Sequence, residues 1–161
     1  MAMSPSLRKK LIAAVGGGAI AIASVFIPSL EGTEHTPYRD GGGVWTVCTG
    51  HTGPDVIPGH RYTDAQCDEF LKADLRTANN AVTRNVKVPM NEMQEAALTS
   101  FVFNVGAGNF ARSSLLKQIN AGHYTAACDS LTRWVYIGQV KSPGLMNRRE
   151  IEKEICLWGD K

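Results

Sequence analysis

The sequence predicts an α+β fold, in which a mainly helical lobe follows a small β-hairpin lobe and an apolar N-terminal helix precedes both. The first observation behind this prediction is an uncharged apolar stretch after a short basic cluster near the N-terminus. The second is a run of glycines at 41–43, between two short segments that alternate polar and apolar residues. The third is the helical periodicity of apolar residues that dominates from residue 63 onward.

Composition fits one globular domain. The 161 residues are 43% hydrophobic and 20% charged, which suffices for a core and argues against a disordered chain. The formal net charge of +2 suits an anionic partner such as a cell wall. It falls short of the clustered basic surface of a nucleic-acid-binding protein, so we expect no nucleic-acid partner.

The N-terminal segment is the sharpest change in composition. Basic residues at 8–10 precede the uncharged stretch Leu11 to Ile27, and Pro28 is expected to end it. A helix of that length covers roughly 26 Å, slightly less than the ~30 Å of a bilayer core. Glycines at 16–18 disfavour a buried core helix, because each Gly costs ~1 kcal/mol against Ala. Composition leaves two export hypotheses open, a cleavable signal peptide and a weak membrane anchor that is retained.

The next elements are short. A brief helix is expected over 29–31, and Pro37 prevents a long one. Residues 38–40 and 44–47 then predict the two strands of a hairpin around the glycine turn. The stretch 52–61 contains Gly-Pro and Pro-Gly pairs and predicts a surface loop.

Helices follow to the end of the chain. Thr63 with Gln66 three residues later predicts a capping box at the start of the first of them. Asn91 is expected to cap the most apolar helix, which would be central in the core and end near Gly106. Ser113 predicts the start of another helix that ends at Gly122, and two more are expected over 124–134 and 147–158.

Cysteine usage also fits export. The chain has four cysteines, at 48, 67, 128 and 156, an even count that allows two disulfides in three connectivities. The nearest-neighbour pairing, Cys48 with Cys67 and Cys128 with Cys156, would close two moderate loops worth ~3 kcal/mol each. Free buried thiols are the alternative. A zinc site at Cys48 lacks a second pair of ligands at suitable spacing, so no metal is expected.

One group of residues is suited to the hydrolysis of a glycosidic bond. This reaction needs a carboxylic acid that protonates the leaving oxygen and a second group that handles the nucleophile. Glu31 lies nine positions before Asp40, and Thr46 follows six positions later, across the predicted turn. The hairpin would bring Thr46 back toward Asp40, so the two side chains could hold one water. Taken alone, this spacing is weak support.

Longer motifs strengthen the hypothesis. Segments 30–32, 37–40, 43–46 and 50–53 resemble the signature of phage-type lysozymes, glycoside hydrolase family 24, in which a Glu, eight residues, an Asp, five residues and a Thr follow one another. Segments 100–106 and 144–150 extend the resemblance, which runs from about residue 28 to the C-terminus. The resemblance implies a lysozyme-like fold and cleavage of the β-1,4 bond between N-acetylmuramic acid and N-acetylglucosamine in peptidoglycan.

The resemblance also implies residue roles. Glu31 would be the general acid, while Asp40 and Thr46 would position the attacking water and invert the anomeric carbon. Glu34 does not fit the spacing and is expected to be exposed. We expect His51 to be a structural hydrogen-bonding residue, and residues 148–154 to form mostly a solvated helix face. No cofactor is implied.

Two further residues are weaker candidates. Asn104 and Arg148 could bind acetamido or carboxyl groups of the glycan, although helix capping and ion pairing explain them equally well.

The N-terminal segment is similar to that of one branch of the family, the signal-anchor-release endolysins of lambdoid phages. The resemblance implies an uncleaved anchor at 1–28, a catalytic domain at 29–161, and a monomer held at the host inner membrane, facing the periplasm. Depolarisation of the membrane would release it to lyse the host. No cysteine precedes Cys48. We therefore expect release through refolding of the anchor against the domain, which completes the cleft. Two alternative functions are a lytic transglycosylase and a tethered wall-binding module without catalysis.

Overall fold

The computed structural model describes residues 3–158, which are mainly helical with two small antiparallel sheets. The N-terminal half contains α1 (Pro5–Ala14), α2 (Ala19–Glu31), β1 (Glu34–Arg39), β2 (Trp45–Cys48), β3 (His51–Thr52) and α3 (Asp64–Asn85). The C-terminal half contains α4 (Glu92–Val105), α5 (Ala107–Ala111), α6 (Ser114–Asn120), α7 (Tyr124–Ser130), β4 (Tyr136–Ile137), β5 (Val140–Lys141) and α8 (Pro143–Cys156). The outer ends of the expected segments 1–28 and 29–161 lie outside the described residues.

Helix α4 is the centre of the core, as the sequence predicts. From Met93 to Val102 only Glu95 is not buried, because α2, α3 and α8 pack around the helix. The expected cap is present, since the Asn91 side chain accepts a hydrogen bond from the Gln94 N–H at 2.8 Å. The helix ends before Gly106, whose φ of +91° favours glycine. Most of the apolar core therefore meets on one helix.

The N-terminal segment forms two helices instead of the single apolar helix expected over 11–27. The chain turns at 15–18, where Gly16 and Gly18 have φ values of +93° and +94°. Gly17 lies close to its neighbours, since a Cβ there would be 3.1 Å from the Ala14 carbonyl oxygen. Both backbone N–H groups of Gly16 and Gly18 donate to the carboxylate of Glu92, at the start of α4. Among the described residues, no helix combines the length and apolar character needed to cross a membrane.

Helix α2 is a core helix, which corrects the expectation drawn from the glycines. Ile22, Phe26 and Ile27 are fully buried in the same core as α4. The glycines lie in the turn before α2, so their unfavourable helix propensity does not act on the helix. The apolar residues of the segment are therefore available for packing.

Pro28 does not end the helix, contrary to the prediction. It lies inside α2, which continues to Glu31, and the N–H of Gly32 donates to the Pro28 carbonyl at 2.9 Å. A proline in a helix costs about 3 kcal/mol, whereas burying a large apolar side chain contributes about 1.5–3 kcal/mol. Burial of Phe26 and Ile27 is sufficient to offset the cost.

The predicted hairpin is present, with a third short strand added. In β1 and β2, Tyr38 pairs with Thr46, and Thr46 pairs with Thr52 of β3. A small second core lies beneath this sheet and contains Val47, Val56 and Tyr62. The polar loop expected over 52–61 contains no helix or strand after Thr52.

The disulfides follow the nearest-neighbour pairing. Cys48–Cys67 joins β2 to α3, and Cys128–Cys156 joins α7 to α8. The alternatives of free thiols and of a zinc site at Cys48 are therefore wrong. Each bond closes a loop across two elements and restricts the unfolded chain.

The helices predicted after residue 63 are present with different boundaries, and the short helix α5 was not predicted. The capping box of Thr63 and Gln66 is formed, and Ser113 caps α6. Helix α8 begins at Pro143, because the Ser142 side chain caps it. The hairpin of β4 and β5 was not predicted, since strands of two residues are too short to show alternation.

Candidate active site

Glu31 is the last residue of α2, and its side chain is 31% exposed. The carboxylate forms an ion pair with the Nη1 group of Arg148, on α8. Gly50, in the turn between β2 and β3, faces the other oxygen, since a Cβ on Gly50 would lie 3.8 Å from Glu31 Oε2. Glu31 therefore lies where the helical lobe meets the sheet.

Arg148 belongs to a buried network of charges. Its Nη2 group donates to the Ser100 carbonyl at 3.0 Å, and its Nε group donates to Glu152 at 3.2 Å. The Ser100 hydroxyl donates to the same Glu152 oxygen at 2.6 Å. The second Glu152 oxygen accepts from Arg149 at 2.7 Å. The solvated helix face expected over 148–154 is wrong on this side of α8, because Arg148, Arg149 and Glu152 are all buried.

The same network reaches Asn104. The Arg149 Nη2 group donates to Asn104 Oδ1, and its Nε group donates to the Trp134 carbonyl at 2.9 Å. Burial lowers the pKa of Arg149, although the charge of Glu152 acts in the opposite direction. Asn104 and Arg148, the weaker glycan-binding candidates, therefore both have protein partners.

Asp40 and Thr46 lie on one face of the hairpin. Tyr38 is opposite Thr46 in the register, and the Asp40 N–H donates to the Val44 carbonyl at 2.9 Å, so side chains 38, 40, 44 and 46 share a face. The Asp40 Oδ1 accepts hydrogen bonds from the N–H groups of Gly42 and Val44, both at 2.9 Å. The Thr46 hydroxyl donates to the Val44 carbonyl at 3.0 Å. The carboxylate thus fixes the glycine turn that precedes Thr46.

Tyr38 shares a face of the hairpin with Asp40 and is affected by the charges of nearby carboxylates. Burial raises the pKa of Tyr38, and the negative charges of Glu31, Glu34 and Asp40 raise it further. Glu34 is exposed at the start of β1, as expected. Sequence reasoning missed Tyr38, although its position two residues before Asp40 on a predicted strand gives it the same face.

Two separate cavities lie beside the end of α4, and we refer to them together as the cleft. One part, of about 270 Å³, is lined by Gly50, Thr52, Asp74, Thr77, Ala78, Val102, Phe103, Gly106 and Ala107. The other part, of about 480 Å³, is lined by Asn104, Val105, Asn109, Arg133, Trp134, Tyr136, Ile137, Leu145 and Arg149. Glu31 lines neither part. It is adjacent to the first part through Gly50, and its partner Arg148 precedes Arg149, which lines the second.

His51 has a structural role, as the sequence predicts. Its Nδ1 contacts Asp74 Oδ2 and its Nε2 contacts Asp55 Oδ1, both at 2.8 Å. The ring stacks on Phe70 with 4.0 Å between centroids. Burial alone would lower the pKa of His51, but the hydrogen bonds and charges of Asp74 and Asp55 outweigh it and raise the pKa. Two carboxylate partners require two N–H donors, so the contacts describe an imidazolium.

A mostly helical lobe joined to a small sheet, with a carboxylate at the cleft between them, defines a lysozyme-type glycoside hydrolase. The sequence profile of the family described as Phage lysozyme matches residues 28–152, and the chain belongs to this family. A SAR-endolysin of Enterobacteria phage P21 is 54% identical over 98% of this chain and 99% of its own length. The chain is therefore an endolysin of the lysozyme class.

Solved structures agree with this assignment. A mutant of P22 lysozyme has a TM-score of 0.76 and 34% identity, over 84% of this chain and 94% of its own. The active form of the P1 phage endolysin Lyz has a TM-score of 0.78 and 27% identity, over 99% of this chain and 96% of its own. The secreted inactive form of Lyz reaches a TM-score of only 0.52 with 28% identity, over 68% of this chain and 78% of its own. The described structure is thus more similar to the active form.

Proposed function

We propose that this endolysin acts as a monomer and hydrolyses the β-1,4 bond between N-acetylmuramic acid and N-acetylglucosamine in peptidoglycan. Glu31 acts as the general acid, and Asp40 with Thr46 positions the attacking water. The main support is the placement of Glu31, which ends α2 where the helical lobe meets the sheet, pairs with Arg148 and lies beside Gly50. The spacing alone carried little weight.

The contacts suggest how each group works. Arg148 holds the Glu31 carboxyl group in one direction at the cleft. The turn N–H groups occupy Asp40 Oδ1, which leaves Oδ2 for a water molecule. Thr46 lies on the same face of the hairpin, and its hydroxyl, which donates to the Val44 carbonyl, can accept a hydrogen bond from the same water. Attack by a water held opposite the acid inverts the anomeric carbon, which is the outcome we expect for this enzyme.

Turbidity loss of permeabilised Gram-negative cells tests the residue roles. We expect Glu31→Gln and Asp40→Asn each to reduce the rate by roughly 10²–10⁴-fold, because each removes a proton-transfer group. Glu34→Gln is the matched control, since Glu34 is an exposed carboxylate between Glu31 and Asp40 in the chain and should keep near-normal activity. Equal losses in all three variants, or a fully active Glu31→Gln, would contradict the assignment. Circular dichroism checks that each variant is folded.

Product analysis separates hydrolysis from the transglycosylase alternative. Mass spectrometry of digested peptidoglycan should give reducing muramic acid ends, because water attacks the anomeric carbon. Anhydro ends, together with an active Asp40→Asn variant, would indicate a transglycosylase. Binding to purified walls without fragment release would indicate the wall-binding module.

We also propose that segment 1–28 first anchors the chain, uncleaved, in the host inner membrane with the domain facing the periplasm. The supporting observations are the basic cluster at 8–10, the uncharged stretch 11–27 and the name of the P21 relative. Depolarisation would then release the segment, which folds as α1 and α2 and brings Glu31 to the cleft. The greater similarity to the active form of Lyz supports this order.

Fractionation of expressing cells tests the anchor. Before treatment we expect the chain in the membrane fraction, and after a protonophore we expect it in the periplasm with an unchanged N-terminus. Untreated cells harvested in parallel are the control. N-terminal sequencing of the periplasmic form decides the outcome, because a start near residues 20–30 would mean ordinary signal cleavage.

A further inference from the structure

Asp74 lies on the cleft wall, outside the catalytic group. It belongs to α3, its side chain is 32% exposed, and it lines the 270 Å³ part of the cleft with Thr52 and Thr77. Gly50 lines the same part of the cleft and faces Glu31. A carboxylate is therefore available to any ligand that occupies the space next to the acid.

A hydrogen bond with His51 fixes the orientation of the Asp74 carboxylate. His51 Nδ1 contacts Asp74 Oδ2 at 2.8 Å, which leaves Oδ1 as a hydrogen-bond acceptor. On its other side His51 contacts Asp55, which is not among the residues that line the cleft. Both aspartates pair with the same ring, but only Asp74 combines that pairing with exposure to the cleft.

We infer that Asp74 binds the glycan by accepting a hydrogen bond from a hydroxyl or amide N–H of an uncharged N-acetylated sugar residue. Peptidoglycan alternates such residues with sugars that carry a lactyl group, whose carboxylate, when free, would meet a like charge at Asp74. The hydroxyls of Thr52 and Thr77 add neutral polar groups on the same surface, and the Thr77 hydroxyl, which donates to the Ala73 carbonyl, keeps its oxygen as an acceptor. Asp74 would thus favour N-acetylglucosamine at this position. The inference rests on the proposed function.

A matched pair of variants separates binding from stability. Asp74→Asn and Asp55→Asn each remove one carboxylate partner of His51, and only Asp74→Asn changes the cleft. We expect Asp74→Asn to raise KM for soluble glycan strands about 10-fold, with a smaller effect on kcat, because a neutral amide oxygen accepts a weaker hydrogen bond than a carboxylate. Asp55→Asn should keep the wild-type KM. All rates are measured below the melting temperature of the less stable variant.

A binding measurement completes the test. In a Glu31→Gln background, Asp74→Asn should weaken binding of an N-acetylglucosamine oligomer by a similar factor, followed by NMR titration. The inference is overturned if the two aspartate variants have equal KM values, or if oligomer binding is unchanged, while the wild type cleaves walls normally. If the wild type neither cleaves walls nor binds the oligomer, the proposed function fails and the inference fails with it.

Discussion

At the scale of single residues, the charges around Glu31 balance. Arg148 and Arg149 face Glu152, which is fully buried, and Arg148 also pairs with Glu31. Two cations thus meet two carboxylates. Buried charges are tolerated only when they are paired, and removing one partner is strongly destabilising. Glu31 therefore contributes to folding as well as to the cleft, and Glu31→Gln leaves excess positive charge.

His51 gives the fold a defined pH dependence. Because the pKa of His51 is raised in the folded protein, its protonation stabilises the fold fully below the ordinary histidine pKa of ~6.5. This contribution is lost as the pH rises through the raised value. We expect the free energy of unfolding to be larger for wild type than for His51→Asn at acid pH. This difference should decrease toward alkaline pH by on the order of 1–2 kcal/mol. Urea unfolding between about pH 5.5 and 9 measures it.

His60 supplies the control for this prediction. It is exposed and packs edge-on against Tyr62, with 4.6 Å between ring centroids. His60→Asn removes an imidazole without removing the ion pairs with Asp55 and Asp74, so it is measured in parallel. A stability difference between wild type and His51→Asn that does not change with pH would contradict those ion pairs.

At the scale of elements, the turn between α1 and α2 decides how the N-terminal segment packs. The turn is attached to α4 through Glu92, which accepts from the N–H groups of Gly16 and Gly18. Arg8 on α1 lies over the ring of Trp158, 4.9 Å from its centroid. The N-terminus of the segment is attached too, since the Met3 N–H donates to Glu154 at 3.2 Å. Polar contacts thus supplement the apolar packing of α2.

Replacement of Glu92 tests the turn. Glu92→Gln removes the charge and leaves a single oxygen for two N–H groups, so we expect a loss of about 1–2 kcal/mol in stability. The turn at 15–18 should also become more susceptible to limited proteolysis. Thermal unfolding and protease digestion measure the two effects.

Glu92→Asp distinguishes the hydrogen bonds to the turn from the effect of a negative charge at the start of α4. Aspartate keeps the negative charge that favours the start of α4, but its side chain is shorter and does not reach the turn. We expect this variant to lose stability as well. A Glu92→Asp protein as stable as wild type would mean that only the charge at the helix end matters.

At the scale of the whole molecule, local signals predicted the most. Short stretches of sequence were enough to predict the helix caps and the hairpin turn, because caps and turns depend on local hydrogen bonds. These features are the caps at Thr63, Asn91 and Ser113 and the glycine turn at 41–43. The family resemblance was needed to recognise the spacing of Glu31, Asp40 and Thr46 as a catalytic pattern. Their catalytic roles stay predictions.

Packing between distant parts of the chain could not be predicted from the sequence. The glycines at 16–18 lower helix propensity, and the sequence alone does not tell that they fall between two helices rather than inside one. Likewise, charges at 148, 149 and 152 have the spacing of a solvated helix face, and only the partners Ser100 and Asn104 on α4 show that this face is buried. Both errors come from contacts between residues that lie far apart in the chain.

The continuity of α2 through Pro28 to Glu31 constrains how this segment can evolve. One inserted or deleted residue between 19 and 31 would rotate Glu31 by about 100° around the helix axis and move it by about 1.5 Å, away from Arg148. Substitutions among small and apolar residues would leave that geometry intact. Natural lineages of this enzyme should therefore vary at the less buried positions of the helix while keeping its length and its buried side chains.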